Sequence, residues 1–357
     1  MYITDEQKHV IIEVLKNIKN KQVITIGGLA GVGKSTIIKI LSNKLKNFAV
    51  AAYTGKATNV LRQKGIGYSR TIHNAIYKPI VEFEETIWIR IEKYELGYDG
   101  FIIDEASMVS KEIHEDLISY GKPIIYVGDH GQLEPIGSKF NLMENPDYKL
   151  ETIHRNAGEI AHFANHLRMG KNPNKFNSEN KVKIVEKSEI EGTDFCRADQ
   201  VICAFNKTRT GVNSLIRKEL NLESEILTVG EKIICLKNNR NLKLFNGMQG
   251  IVNKIYQNGK INFSCGEEIF TKIKVDYNQF GKEKNEFDFH DDENPFDYAY
   301  AITAHKSQGD SFDRVIVLEE SCDKWDNKRW NYTAASRAKQ LLVWGKTKNY
   351  IPRYLTK

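Results

Sequence analysis

The chain has 357 residues, which exceeds one typical hydrophobic core and predicts two or three domains. Hydrophobic residues make up 41% and charged residues 27% of it, as in ordinary globular proteins, and no apolar run approaches the ~20 residues that cross a bilayer, which argues against a membrane protein. The formal net charge of +6 permits a polyanionic partner without requiring one, because many proteins of this charge bind no nucleic acid.

The N-terminal segment and the cysteines bear on the cellular compartment. The first ten residues, MYITDEQKHV, contain acids and lack the apolar core of a secretory signal. The five cysteines form no CxxC pair, so they suggest neither a zinc site nor a disulfide framework. We therefore expect an intracellular, cytoplasmic protein that does not associate with membranes.

A phosphate-binding loop is the first strong signal along the chain. A buried strand is predicted at 22–26, and an amphipathic helix is predicted from Ile37, Ile38, Leu41 and Leu45 at helical spacing. The intervening GLAGVGKS (28–35) matches GxxxxGK[ST]. Glycines let several backbone N–H groups point at one phosphate, and the helix N-terminus adds partial positive charge. Lys34 would neutralise the β and γ phosphates, and Ser35 would offer its hydroxyl to Mg²⁺. The predicted nucleotide-binding residues are Gly28, Ala30, Gly31, Val32, Gly33, Lys34, Ser35 and Thr36.

An acidic pair ends a later strand of the same lobe. Strands are predicted at 50–54, 101–104 and 123–128, and Asp104-Glu105 closes the second of these. Ligands of open α/β sheets bind at the carboxyl ends of the strands, so both carboxylates would face the ligand. Asp104 would hold Mg²⁺ and Glu105 would polarise the attacking water. An acidic pair can also cap a helix, so the assignment depends on the phosphate loop upstream.

A second strand series, at 201–205, 314–319 and 341–345, predicts a second parallel sheet. Strands that alternate with helices are typical of parallel sheets covered on both faces. The predicted fold class is therefore α/β with two lobes, the first at 1–150 and the second formed by 151–228 and 296–357.

Two insertions interrupt this alternation. Period-two hydrophobicity at 79–96 predicts a β-hairpin in the first lobe. In the second lobe, residues 229–295 contain Asn246-Gly247 and Asn258-Gly259, and Asn-Gly turns predict a small antiparallel β-barrel. The acidic end of this insertion, FDFHDDENP (287–295), is predicted to be a solvated loop.

Further motifs resemble those of superfamily 1 helicases, in particular the RecD and Dda branch. Three segments of this chain carry the resemblance. One resembles the family's sensor motif, VGDHGQLEPIG (127–137), and one resembles the motif that couples DNA to the nucleotide, DYAYAITAHKSQG (297–309). A third resembles the arginine-finger motif, YTAASRAK (332–339). Five further segments resemble other motifs of the family: ITDEQ (3–7), AYTGKATNVL (52–61), TIHNAI (71–76), LETIHRN (150–156) and FNKTRTGVNSLIRKEL (205–220). The motifs follow the family order from residue 3 to residue 339, so the resemblance covers nearly the whole chain. It implies that both lobes are RecA-like motor domains.

The resemblance also implies roles for individual side chains. Gln132, Arg155 and Arg337 would reach the γ-phosphate, with Arg337 as the arginine finger. Gln7 would read the adenine, although Thr4 and Gln7 also have the spacing of a capping box, and both roles can hold together. Gln308 and Gly309 would add nucleotide contacts. The implied DNA contacts are Thr54, Lys56, Thr71, His73, Asn206, Thr303, His305 and Lys306, largely groups suited to phosphates.

Alternatives remain for some of these residues. The arginines could form surface salt bridges, and the histidines could be structural. The sensor motif has Glu134 where the family usually has proline, which leaves the local DNA contact open. Phe83 and Trp88 in the first insertion would act as a wedge at the duplex fork, or would simply pack the hairpin.

The resemblance implies an ATP-dependent 5′-to-3′ DNA helicase that translocates on single-stranded DNA and acts at junctions of single and double strands. ATP and Mg²⁺ would bind between the lobes. The alternatives are an RNA-directed helicase of the same superfamily and a nucleic-acid-stimulated ATPase or binding module without unwinding activity. By analogy with the family, we expect a monomer, encoded by a phage in a bacterial host, with replication or repair proteins as partners.

Overall fold

The chain is described by a computed structural model. It defines residues 3–53, 55–82, 85–133, 140–153, 158–239, 242, 244–266, 268–284 and 293–346, with the backbone alone for Lys56, 79–82 and 85–88. Within these ranges, no helix combines the length and the hydropathy needed to cross a bilayer.

A six-stranded sheet organises the first half of the chain. Its helices are α1 (Asp5–Asn17), α2 (Lys34–Lys44), α3 (Gly55–Gln63), α4 (Ile72–Ile76) and α5 (Lys111–Ser119). The strands are β1 (Val23–Gly28), β2 (Phe48–Ala52), β3 (Arg70–Thr71), β4 (Tyr77–Glu82), β5 (Glu85–Arg90), β6 (Gly100–Asp104), β7 (Ile124–Gly128) and β8 (Tyr148–Leu150). The sheet order is β3-β2-β6-β7-β1-β8, and every pair is parallel. The strands predicted at 22–26, 50–54, 101–104 and 123–128 correspond to β1, β2, β6 and β7, which confirms the α/β class.

The hairpin in the first lobe is shorter than predicted. β4 and β5 pair in antiparallel fashion from Tyr77 opposite Arg90 to Glu82 opposite Glu85. The chain does not continue as strand to residue 96, because Ile91 and Leu96 pack into the hydrophobic core of the lobe instead.

A second parallel sheet and an inserted sheet follow. The helices are α6 (Glu159–Arg168), α7 (Gly192–Arg197), α8 (Asn206–Glu219) and α9 (Asn327–Ala335). The strands are β9 (Val182–Glu186), β10 (Gln200–Cys203), β11 (Lys232–Cys235), β12 (Gln249–Ile255), β13 (Ile261–Cys265), β14 (Glu268–Ile273), β15 (Val275–Asp276), β16 (Asn294–Tyr298), β17 (Ala301–Thr303), β18 (Phe312–Leu318) and β19 (Ala338–Lys346). The second sheet has the order β17-β10-β18-β19-β9, again with parallel pairs only.

The inserted sheet has the order β14-β13-β12-β11-β16-β15. Gly247 and Gly259 have φ values of 91° and 76°. This is the left-handed conformation that the predicted Asn-Gly turns require. Two features differ from the expectation: β15 pairs with β16 in parallel, and Asn294 and Pro295 belong to the fully buried β16. The end of the acidic tail is therefore not a solvated loop, because Asn294 is bonded to Lys274 and Asn239 inside the sheet. Residues 285–292 lie outside the described ranges.

Ion pairs of low exposure fasten the inserted sheet to α8 of the second lobe. Arg209 pairs with Asp297 of β16, and the Arg217 Nε donates to the Glu231 carboxylate at 2.7 Å. Glu231 is fully buried, and the Arg217 guanidinium also lies 4.4 Å from the centre of the Tyr298 ring. Removing one partner of such a pair would leave a buried charge without compensation, which typically costs ~3–5 kcal/mol.

The two lobes pack directly against each other. One hydrophobic cluster contains Ile24 and Val127 of the first sheet together with Val317 and Trp344 of the second. Helices α6 and α9 of the second lobe pack together at the boundary, and Tyr332 of α9 belongs to the same cluster. The segments that follow β1 and β7 therefore face α9.

Candidate functional site

Three predicted motifs meet at one edge of the first sheet. β7 lies between β1 and β6, and all three run parallel, so their carboxyl ends are adjacent. The phosphate loop follows β1, Asp104 ends β6, and residues 129–132 follow β7. The topology therefore brings together the residues for which the sequence predicts phosphate binding, metal binding and phosphate sensing.

The phosphate loop has the backbone that its glycines allow. Gly31 and Gly33 both have φ of 81°, a conformation that strains other L-residues. A Cβ on Gly28 would lie 2.9 Å from Lys34 Cγ, so glycine is also required for close approach. The Lys34 Nζ donates to the carbonyls of Gly28 at 2.6 Å and Leu29 at 3.2 Å. The Lys34 cation thus lies over the loop for which the sequence predicts phosphate binding.

Asp104 and Glu105 form a strained, desolvated carboxylate pair. Asp104 accepts a hydrogen bond from the Glu105 N–H at 2.9 Å, and burial followed by the Glu105 charge raises the pKa of Asp104 to about 7. Glu105 has φ of 53°, an unusual conformation for a residue with a side chain, and such strain is often located at functional sites. Its Oε2 is buried without a hydrogen-bond partner. A carboxylate oxygen in this state can accept a bond from water or coordinate a cation.

Lys64 lies beside Ser35, a predicted ligand of the metal, and the sequence analysis did not identify it. Its Nζ donates to Ser35 Oγ at 2.8 Å. The residue as a whole is exposed, yet desolvation lowers the pKa of its ammonium, and the charges of Asp104 and Glu105 oppose that shift. The hydroxyl of Ser35 and the carboxylate of Asp104 are the oxygen donors that Mg²⁺ prefers, so these residues fit the ion.

The side chain of Gln7 is hydrogen-bonded to other residues of the protein. Its Oε1 accepts from the Thr4 N–H at 3.0 Å and its N–H donates to Thr4 Oγ1, so the capping box is present. Its Nε2 donates to the Val32 carbonyl of the phosphate loop at 2.8 Å. Gln7 therefore ties the start of α1 to this loop, and its role towards adenine stays a prediction.

Asp129 connects the sensor segment to Lys34. Its Oδ2 lies 3.4 Å from Lys34 Nζ, and its Oδ1 accepts from the Gly131 N–H at 2.9 Å. Burial alone raises the pKa of Asp129, but Lys34 and the hydrogen bonds outweigh burial and hold it below its usual value. Gln132 is also buried, and its Oε1 has no hydrogen-bond partner. Buried polar atoms normally have partners, so Gln132 and Glu105 suit a polar ligand here.

The second lobe contributes side chains to the same place. The Gln308 Nε2 donates to the Leu133 carbonyl at 2.6 Å, and Gly309 packs against Met108. Arg337 is buried, donates to the Thr333 and Asp310 carbonyls at 3.0 Å each, and acts electrostatically on Asp129. Its charge therefore acts on the segment after β7, while its guanidinium is hydrogen-bonded within its own lobe.

Two residues of α9 that the sequence did not indicate contact the first lobe. The Tyr332 hydroxyl accepts from the Ala30 N–H at 2.6 Å and donates to Asp129 Oδ2 at 2.7 Å. Thr333 Oγ1 accepts from the Leu133 N–H at 2.9 Å. Tyr332 opens the motif YTAASRAK, but only its arginine carried a prediction, because the family resemblance assigns that residue alone.

The residues predicted to bind DNA are spread over both lobes. Thr71 caps α4, and the His73 ring lies 4.9 Å from that of Phe245 in the insertion. Asn206 begins α8 and accepts from Arg209, while Thr303 ends β17. Burial lowers the pKa of both His305 and Lys306, and Lys306 donates to Asn246. The described residues do not include Thr54, Phe83, Glu134 and Arg155, nor the side chains of Lys56 and Trp88.

Comparison with known proteins identifies the family. An AAA domain family model matches residues 2–189, and the model of the UvrD-like helicase C-terminal domain matches residues 298–343. The chain belongs to the AAA domain family. The chain is also similar to superfamily 1 helicases of the RecD, Pif1 and Dda branch, which confirms the resemblance to the RecD and Dda branch that the motifs carried.

Two curated relatives and one solved structure show which known proteins this chain resembles. It is 26% identical to the ATP-dependent DNA helicase dda of Enterobacteria phage T4 over 65% of the chain and 60% of the relative. It is 23% identical to the RecBCD subunit RecD of Buchnera aphidicola subsp. Schizaphis graminum over 95% of the chain and 72% of the relative.

The solved structure is Pif1 helicase from Bacteroides with ADP-AlF3 and single-stranded DNA. It has a TM-score of 0.56 and 21% identity, and the alignment covers 99% of this chain and 94% of that one. This likeness establishes the fold of two RecA-like domains. The chain spans 30% to 60% of the length of the first curated relatives it matches.

Proposed function

We propose that this chain is an ATP-dependent 5′-to-3′ DNA helicase that moves along single-stranded DNA. The observation that carries this proposal is the position of α9. It belongs to the second lobe, yet it binds the phosphate loop through Tyr332 and the sensor segment through Thr333. A site that both lobes contact in this way would make nucleotide binding sensitive to the relative position of the lobes, which a motor requires.

The chain's residues would act on ATP in a defined order. Lys34 would leave the loop carbonyls for the β and γ phosphates, and Glu105 would orient the attacking water. Gln132, Arg155 and Arg337 would stabilise charge on the γ-phosphate, with Arg337 moving in as the lobes close. Mg²⁺, held by Ser35 and Asp104, would neutralise phosphate charge.

We further propose the division into lobes 1–150 and 151–228 with 296–357, the insertion at 229–295, and action as a monomer. The grip on DNA would come from Lys56, Thr71, Asn206, Thr303 and Lys306, largely through backbone phosphates, independent of base sequence. Dda is named as a DNA helicase, and the Pif1 structure contains single-stranded DNA. Both names favour DNA over RNA as the partner.

An unwinding assay tests the proposal. Fluorescent duplexes with a 5′ tail, a 3′ tail or no tail are incubated with the chain, ATP and Mg²⁺. We expect unwinding of the 5′-tailed duplex, and ATP hydrolysis stimulated more by single-stranded DNA than by RNA of the same sequence.

Lys34→Ala is the control variant. It should abolish stimulated hydrolysis and unwinding, because the phosphates lose their principal cation. Unwinding of the 3′-tailed duplex alone would contradict the polarity, and stronger stimulation by RNA would favour the RNA-directed alternative. Undiminished hydrolysis by Lys34→Ala would contradict the assignment of the site.

A further inference from the structure

A single tyrosine hydroxyl bridges the two lobes at the phosphate loop. Tyr332 is fully buried in α9, and its hydroxyl lies between the Ala30 N–H at 2.6 Å and Asp129 Oδ2 at 2.7 Å. The ring packs where Gly131 has no side chain, since a Cβ there would lie 3.0 Å from Tyr332 Cε1. Packing and two hydrogen bonds therefore fix the position of this hydroxyl.

The hydroxyl belongs to a chain of contacts that ends on the loop lysine. Asp129 accepts from Tyr332 and lies 3.4 Å from Lys34 Nζ, and Lys34 in turn donates to the loop's own carbonyls. One N–H group of the loop and its cation are thus both satisfied by protein atoms. Phosphate binding to such a loop uses backbone N–H groups and the lysine.

We propose that Tyr332 is a nucleotide-responsive latch that joins α9 to the phosphate loop. Phosphates that bind there compete with Tyr332 for the Ala30 N–H and with Asp129 for Lys34. Once Lys34 turns to the phosphates, Asp129 loses its cation and is repelled by their negative charge, so the carboxylate moves away from the loop and draws the Tyr332 hydroxyl with it. α9 is then released from the loop, and Arg337, two residues after its end, becomes free to move.

This latch rests on the proposed function only in requiring that nucleotide binds the loop. It adds that the second lobe senses the nucleotide through a positioning residue distinct from the arginines and Gln132. It also predicts a direction: the hydroxyl stabilises the nucleotide-free arrangement, so its removal favours binding.

The test compares Tyr332→Phe with Tyr120→Phe in the full chain. Tyr120 is a matched control because it is also buried and its hydroxyl also makes two hydrogen bonds, in this case to the backbone carbonyls of Ile76 and Ile91, away from the loop. Each variant loses one hydroxyl from the core. Binding of mant-ADP with Mg²⁺ is measured by fluorescence titration, and thermal unfolding is measured in parallel.

We expect both variants to unfold at lower temperature, but only Tyr332→Phe to bind mant-ADP more tightly, by about tenfold, the size expected for losing a hydrogen bond to a charged group. The Ala30 amide should also exchange hydrogen faster in nucleotide-free Tyr332→Phe than in wild type. The dissociation constants for a dT oligomer with and without a non-hydrolysable ATP analogue should differ less in this variant.

Unchanged or weaker mant-ADP binding by Tyr332→Phe, with a lowered unfolding temperature, would overturn the latch and leave a purely structural hydroxyl. An equal increase in mant-ADP affinity in Tyr120→Phe would overturn the latch as well, because the loss of any buried hydroxyl would then be enough to strengthen nucleotide binding. Wild type that fails to bind mant-ADP would instead refute the proposed nucleotide site itself.

Discussion

Replacing Asp104 with asparagine should stabilise the nucleotide-free protein, and more strongly at high pH. Asp104 is buried beside Glu105, and burial is the main reason that its pKa rises from 3.8 to about 7. An acid whose pKa is higher in the folded state favours folding while protonated. That stability is present below the unfolded-state pKa and is lost as pH rises towards the folded-state value.

The expected magnitude follows from the shift. Each pKa unit corresponds to ~1.4 kcal/mol, so a shift of about three units costs about 4 kcal/mol once Asp104 is ionised. Between about pH 5.5 and about pH 8.5, the gain from Asp104→Asn in free energy of unfolding should grow by about 2 kcal/mol. The asparagine oxygen can still accept the Glu105 N–H, so the backbone there is kept.

Urea unfolding without nucleotide or Mg²⁺, at both pH values, is the assay. Asp129→Asn is the matched control, because Asp129 is buried in the same pocket but its pKa is lowered. This variant should be destabilised, on the order of 3 kcal/mol, equally at both pH values, because both lie above the Asp129 titration. A gain for Asp104→Asn that stays constant or shrinks with pH would refute the reasoning.

Three further variants probe the pocket. Lys64→Met removes the ammonium that competes at Ser35, so the Mg²⁺ concentration for half-maximal mant-ADP binding should fall about threefold; an unchanged requirement would contradict this. Arg337→Lys should lower stimulated ATP hydrolysis by ~10³-fold or more while mant-ADP still binds; activity within tenfold of wild type would exclude the arginine-finger role. Gln7→Ala should lower the unfolding temperature, because Gln7 ties α1 to Val32; only an additional loss of preference for ATP over GTP in hydrolysis would support adenine reading.

The sequence predicted those parts of the site that follow local rules. Apolar runs such as 101–104 become central strands because a parallel sheet is covered on both faces, and a loop after such a strand lies at the ligand edge. The positions of Lys34 and Asp104 follow from this. The contact of Tyr332 with Ala30 could not be predicted, because 302 positions separate them and nothing local specifies which hydroxyl crosses the cleft.

In two places the polar or charged character of residues led to a wrong or missing prediction. Asn294 and Pro295 follow an acidic run, and such runs are usually exposed, yet they lie in a buried strand because the inserted sheet satisfies their polar groups. Lys64 had no motif to mark it, since a lysine after a helix is normally only a solvated charge. Its importance depends on the tertiary position of Ser35.

The ion pairs between α8 and the inserted sheet make that sheet a poor candidate for transplantation. The inserted sheet runs to the end of β16 at Tyr298, beyond the proposed boundary at 295. A cut that removes the whole sheet would separate Arg209 from Asp297 and Arg217 from Glu231, leaving half of each pair in each fragment. Each fragment would then contain buried charges without the oppositely charged partners that stabilise them in the intact chain. Insertion and second lobe should therefore melt in one cooperative transition, and a chimaera that exchanges the insertion must carry α8 with it.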